Sequence, residues 1–170
     1  MPLPYPLPEL DLSAPFDRHR AVVKPEWIDG NGHMNVGYYV VAFDHASDTL
    51  CEQLGVSWEY TRRGLGMIFI AEAHVTYDRE LLANAPFRVT SQMLGHDEKR
   101  LHLFHQMYHA EEGYLSATNE LMILHVDFTT RRVSPWPLVT QARMATMAET
   151  HKKLPWPAKA GRTIGLQKKS

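Results

Sequence analysis

The stretch that decides the fold is DGNGHMNVGYYVVAFDHASDTLCEQLG, Asp29 to Gly55. Its first seven residues carry two glycines and two asparagines, which suit tight turns and positive φ. From Val36 the pattern changes. Val36, Tyr39, Val40, Phe43, Leu50 and Leu54 recur at helical intervals, with small Ala46 and Ser47 between them. Asn35 is a suitable N-cap and Gly55 a suitable C-terminal stop, so the spacing predicts one long helix over 36–54. Asp44, Asp48 and Glu52 fall along one edge, as on a partly solvated helix.

On either side of that helix the pattern is sheet. Arg20–Lys24 reads as a short strand stopped by Pro25. Met67–Tyr77, Phe87–Leu94, Leu101–Ala110 and Tyr114–Phe128 read as strands, with His96–Lys99 and Glu111–Gly113 as hairpin turns. Leu138–His151 reads as a closing helix after Pro135-Trp136-Pro137. A long helix followed by antiparallel strands with no interleaved helices is an α+β arrangement. One helix covers one face of such a sheet. The other face has to be covered by a second subunit or by the tails.

The domain is expected over 19–152, flanked by a Pro-rich extension, 1–18, and a basic tail, 153–170. Prolines at 2, 4, 6, 8 and 15 make the extension an extended segment, either loose or lying on a partner subunit. The tail is expected to be poorly ordered.

With 170 residues, 44% hydrophobic and 22% charged, the chain fits one domain with a real core. The net charge of −1 lacks the basic excess that nucleic-acid binding usually requires. The lone Cys51 excludes an intrachain disulfide and fits a reducing compartment. No apolar run approaches the roughly 20 residues that span a bilayer, and no secretory signal is visible. A cytoplasmic protein with neither nucleic-acid nor membrane partners is expected.

Asp29, Asn31, His33 and Asn35 lie within seven residues, where a helix start leaves N–H groups unsatisfied and the dipole positive. Such an end can polarise a carbonyl and stabilise an oxyanion. A carboxylate there can act as nucleophile or general base, with a histidine and an asparagine orienting it. The residue types alone leave open that these are only turn and cap residues.

The chain has ten histidines. Strand alternation puts His105 and His109 on one face and His102 on the other. It also pairs His125 with Asp127 and His74 with Glu72. Imidazole plus carboxylate suits zinc or iron, but no pair has a dedicated spacing such as H-E-x-x-H, so no metal is expected. Cys51 reads as a packing residue.

The loop Asp29-Gly30-Asn31-Gly32-His33-Met34-Asn35, followed by Tyr38-Tyr39, resembles the signature loop of hotdog-fold acyl thioesterases, relatives of the 4-hydroxybenzoyl-CoA thioesterase family. Its D-x-N-x-H-x-N pattern is similar to that of plant acyl-ACP thioesterases. Tyr77-Asp78-Arg79-Glu80 resembles their Y-x-R-E element, although Leu81 stands where the plant enzymes have cysteine. The resemblance implies the hotdog fold, one long helix wrapped by an antiparallel sheet. It implies Asp29 as catalytic carboxylate, Asn31 and His33 as orienting groups and Glu80 as a water-activating base. Gly32 and Asn35 at the helix start would contact the substrate. An acyl-CoA would be hydrolysed to a carboxylic acid and free CoA, with no organic cofactor. The site would lie in a homodimer or a dimer of dimers, with loop and strand element often from different subunits.

Asp97-Glu98-Lys99-Arg100-Leu101-His102-Leu103-Phe104-His105, then Leu121 to Asp127, is similar to thioesterase modules attached to carnitine catabolism. That similarity implies betainyl-CoA and an aromatic cage for its quaternary ammonium. Trp58, Tyr60, Phe69 and Tyr77 are the candidates for the cage, with Glu72 as counter-charge. A noncatalytic acyl-CoA-binding hotdog module and a hotdog enoyl-CoA hydratase or dehydratase remain as alternatives.

Overall fold

The computed structural model describes residues 3–166; residues 1–2 of the extension and 167–170 of the basic tail lie outside them. The elements run β1 (Phe16–Val22), α1 (Val36–Leu54), α2 (Trp58–Arg62), β2 (Met67–Tyr77), β3 (Pro86–His96), β4 (Arg100–His109), β5 (Leu115–Val126) and α3 (Leu138–His151). All five strands form one antiparallel sheet in the order β1-β3-β4-β5-β2. β3, β4 and β5 are a meander. α1 and α2 carry the chain between the two edge strands, so β1 and β2 are neighbours in sequence and far apart in the sheet. This is the expected α+β hotdog arrangement.

α1 has the predicted bounds because both caps act. The Asn35 side-chain oxygen accepts from the Gly37 N–H at 2.9 Å, and Gly55 takes φ 85°, returning its N–H to the Cys51 and Glu52 carbonyls. The helix then buries Tyr39, Phe43, Ala46, Leu50 and Leu54 against alternate residues of the sheet. At its C-terminal half the core includes Leu101, Leu103, Leu121 and Ile123, joined by Met144 and Met147 of α3. At its N-terminal half it includes Met34, Leu81, Phe87, Val89 and Met107. Each fully buried aliphatic side chain contributes roughly 1.5–3 kcal/mol. Cys51 lies in this core, and burial pushes its thiol up to about 12.

The buried histidine at the centre of the core is paired on both ring nitrogens. His105 is fully buried, 3.0 Å from Ser47 Oγ on one nitrogen and 2.8 Å from Ser91 Oγ on the other, with its ring stacked on Phe43. Burial holds this imidazole neutral, with its pKa down at about 3.

Three expectations change. β1 begins at Phe16 rather than Arg20, and a 3-10 turn over Pro25–Trp27 follows it. The proline starts that turn where its missing N–H costs nothing. The N-terminal extension, over its described residues 3–15, is not loose and packs on its own chain. Leu3, Tyr5 and Leu10 pack on the core of their own chain, Tyr5 Oη donates to Gly55 O at 2.8 Å, and Arg143 donates to Pro8 O at 2.6 Å. The tail is not disordered over 152–161. It crosses the sheet face opposite α1, burying Pro157 and setting Trp156 edge-on to His102 at 6.2 Å. Two prolines give this segment a stiff backbone, and it lies on part of the face left open by a single helix layer, with Trp156 itself 61% exposed.

Burial lowers the pKa of His19, His125 and His151 as well as His105. The folded state therefore binds fewer protons than the unfolded chain once the pH falls below about 6.5. Their contribution to stability is complete above that pH and is lost on acidification. The melting temperature should fall between pH 7.5 and 5.5, with each such group adding a slope of at most about 1.4 kcal/mol per pH unit. His105→Gln should make that dependence shallower; a melting temperature independent of pH over this range contradicts the assignment. Separately, Asn35→Ala should destabilise by about 1 kcal/mol through loss of the cap, read as a fall of about 2–4 °C in a thermal melt.

Candidate active site

The loop ahead of α1 is a tight turn stitched at several points. Gly32 takes φ 85° and donates its N–H to Asp29 O at 3.0 Å, while Asp29 N–H donates to His33 O at 3.0 Å. Asn31 N–H donates to Asp29 Oδ1 at 2.8 Å. Met34 N–H reaches Leu81 O and Asn35 N–H reaches Trp27 O, both at 2.9 Å. The loop is thereby tied to the segment that leaves β2.

That segment, Asp78 to Leu81, is held from the β5 side. The N–H groups of Asp78 and Arg79 donate to Ser116 O, Ser116 Oγ donates to Arg79 O, and Tyr114 Oη donates to Glu80 O. The Arg79 guanidinium lies 3.8 Å over the Tyr114 ring, and Leu81 N–H donates to Tyr39 Oη at 3.1 Å. Tyr114, Ser116 and Tyr39 are functional supports that the sequence analysis did not single out. Only Tyr39, in the Tyr38-Tyr39 pair after the loop, carried a signal.

The two segments meet in one chain. His33 Nδ1 is 2.7 Å from Glu80 Oε2, and His33 Nε2 is 3.8 Å from Asp29 Oδ1. The first is a hydrogen bond; the second is a contact of opposite charges when the imidazole is protonated. The imidazole thus stands between two carboxylates, and it does so without a second subunit. The cluster opens into a cavity of about 180 Å³ lined by His33, Val36, Tyr39, Tyr77 and Glu80. Tyr77 Oη donates to Val36 O at 3.3 Å, its ring meets Tyr39 edge-on at 5.3 Å, and burial raises its phenol pKa.

The amides of the loop divide into two groups. Those of Asn31, Gly32, Met34 and Asn35 already have acceptors. Gly32 therefore shapes the turn and does not offer its N–H to a ligand. Among the hydrogen bonds of the described residues, none uses the N–H of His33 or Val36. Both residues line the cavity. Asn35 uses its side-chain oxygen as the helix cap.

The other predicted substrate contacts separate. Glu72 opens onto a different pocket, with His74, His102 and Glu120 on the outer face of the sheet. Phe69 pairs with Leu124 between the core-facing Ile68 and Ile70, on the face opposite Tyr77. A bulge at Ala71 shifts the alternation between them. Tyr60 is buried in the core, bonded to Leu65 O at 3.0 Å and 2.9 Å from His125 Nε2, with its phenol pushed up to about 12. Trp58 donates to Asp48. Of the proposed cage, only Tyr77 joins His33 and Glu80. Among the described residues, no three of His, Cys, Asp and Glu are arranged to hold a metal ion.

The thioesterase-like superfamily model matches residues 23–144, which include the whole of this site. A betainyl-CoA thioesterase from Pseudomonas aeruginosa is 35% identical over 155 residues, 91% of this chain and 98% of that protein. An L-carnitine dehydrogenase/betainyl-CoA thioesterase from Ruegeria pomeroyi is 39% identical over 95% of this chain, which spans 33% of that longer protein. A Staphylococcus aureus protein solved in complex with CoA superposes with a TM-score of 0.82 at 29% identity, covering 91% of this chain and 99% of its own. With the family model covering most of the domain and a full-length relative above 30% identity, the chain belongs to the thioesterase-like superfamily.

Proposed function

We propose that the chain is an acyl-CoA thioesterase that hydrolyses betainyl-CoA to betaine and free CoA. The observation that carries this reading is the His33 imidazole held between Asp29 and Glu80 at the first turn of α1, beside an aromatic-walled cavity. The names of the two bacterial relatives support the choice of acyl group.

The reaction needs an activated water and a stabilised oxyanion. Asp29 Oδ1 is engaged by Asn31 N–H, which leaves Oδ2 to take a proton from water. The water oxygen bonds to the thioester carbon, and the carbonyl oxygen becomes an oxyanion. The Val36 N–H, at the positive end of α1, is the donor placed for that charge. The C–S bond then breaks, and the CoA thiolate recovers the proton. Glu80 accepts from His33 Nδ1 in this reading and turns Nε2 toward Asp29. The thiolate is a good leaving group, so no organic cofactor is required.

The cavity also suits the acyl group. Betaine carries a quaternary ammonium, which makes no hydrogen bond and is held by aromatic faces and nearby negative charge. Tyr77 and Tyr39 supply the rings, and Glu80 the charge. A volume of about 180 Å³ favours a short acyl group. β2 is an edge strand with unpaired backbone groups, where Phe69 is 59% and Tyr77 48% exposed, and Val36 and Val40 are exposed on the adjoining helix. A second copy covering that edge would make the working unit a homodimer. The lone buried thiol suits the reducing cytoplasm.

Thiol release should be measured on betainyl-CoA and on its uncharged isostere, 3,3-dimethylbutanoyl-CoA. The expected kcat/KM is at least about tenfold higher for betainyl-CoA, about 1.4 kcal/mol of cation recognition. Equal values contradict the choice of substrate. Asp29→Asn should lower kcat/KM at least about a hundredfold, about 2.7 kcal/mol. Binding of CoA esters without turnover by the wild type would mark a noncatalytic module instead.

A further inference from the structure

The face of the sheet opposite α1 is crossed by residues 152–161, and this segment ends its crossing beside Asp78, at the end of β2. Its register is fixed by several contacts. Gln92 Nε2 donates to Pro155 O at 3.2 Å, Trp156 meets the His102 ring, and Gly161 N–H donates to Glu120 Oε2 at 2.7 Å. Glu120 is in turn anchored, with its other oxygen 2.8 Å from His102 Nε2. Between these anchors, Lys159 Nζ pairs with the carboxylate of Asp78. The two side chains are only 26% and 31% exposed, so this ion pair is better shielded than an ordinary surface pair.

Asp78 is two residues before Glu80. The Glu80 side chain is 59% exposed, and His33 supplies its one hydrogen bond among the described residues. Its direction therefore depends on the backbone course from Asp78 to Leu81. Ser116 and Tyr114 restrain that course from the β5 side, and Tyr39 and Met34 hold Leu81 from the α1 side. Lys159 restrains it at Asp78, from the outer face of the sheet.

The geometry points to the C-terminal segment as a strap that positions the active site: Lys159, acting through Asp78, holds Glu80 in place against His33. Lys159 touches neither substrate nor reacting atoms and is a positioning residue. The inference rests on the thioesterase reading and on the role of Glu80 within it.

The test is steady-state hydrolysis of betainyl-CoA by full-length Lys159→Met, Lys159→Arg, Glu80→Gln and the double variant Glu80→Gln/Lys159→Met, with thermal melts of each. Lys159→Met should lower kcat about tenfold (about 1.4 kcal/mol) while KM stays within about twofold. Lys159→Arg should retain most of the activity, because it keeps the charge toward Asp78. The double variant should be no slower than Glu80→Gln alone, since the lysine acts through that carboxylate. An unchanged kcat in Lys159→Met beside a damaged Glu80→Gln overturns the strap and leaves the site reading intact. A double variant as slow as the product of the two single effects also overturns it. Wild-type rates in Glu80→Gln remove Glu80 from the mechanism, and the strap's role with it.

Discussion

The hydrogen bond between His33 Nδ1 and Glu80 joins positions 47 residues apart, and the proposed active site depends on it. A contact of that sequence separation needs both of its segments held in advance, because ordering two loops against each other costs more than one hydrogen bond returns. The fold meets that condition with backbone bonds. Met34 is tied to Leu81, Asn35 to Trp27, and Arg79 and Glu80 to the start of β5. The side chains proposed for the chemistry then stand on a frame that is already fixed. Their solvent exposure costs little of the geometry.

The same region shows how a helix start is shared between structure and chemistry. The first turn of α1 presents several N–H groups that need acceptors. Asn35 takes the Gly37 amide, and the turn itself takes those of Asn31 and Gly32. What remain are the N–H groups of His33 and Val36, two residues that line the cavity. A site that must stabilise an oxyanion has a use for such remaining donors, whereas a helix start that is only capped would leave them to water. The carboxylates and the dipole are complementary, since negative charge is favoured at this end of the helix.

Much of this was legible in the sequence. α1 is readable because periodicity, cap and stop agree. Met67–Tyr77 is readable because β-branched and aromatic residues dominate both its ends, up to the Asp78-Arg79-Glu80 element. Asp29 and His33 of the loop meet Glu80 of the strand element, and they do so within one chain. What could not be read depends on three-dimensional register. The bulge at Ala71 separates Phe69 from Tyr77, so a set of aromatics close in sequence does not form a cage. Tyr60 looked available and is buried, because a short helix after Gly55 turns it under Trp136 and His125. Both tails have compositions that suggest disorder, yet each finds an apolar surface of its own chain: Leu3, Tyr5 and Leu10 at one end, Trp156 and Pro157 at the other. Composition reports what a segment can bury alone. It says nothing of the surface that the rest of the fold leaves uncovered.

The most direct measurement is a double-mutant cycle on kcat/KM with His33→Gln, Glu80→Gln and the pair. If loop and strand end act as one unit, the two losses overlap, and the double variant falls short of their sum by at least about 1 kcal/mol. Strict additivity would mean that the two side chains touch without working together, and the site as drawn here would be wrong.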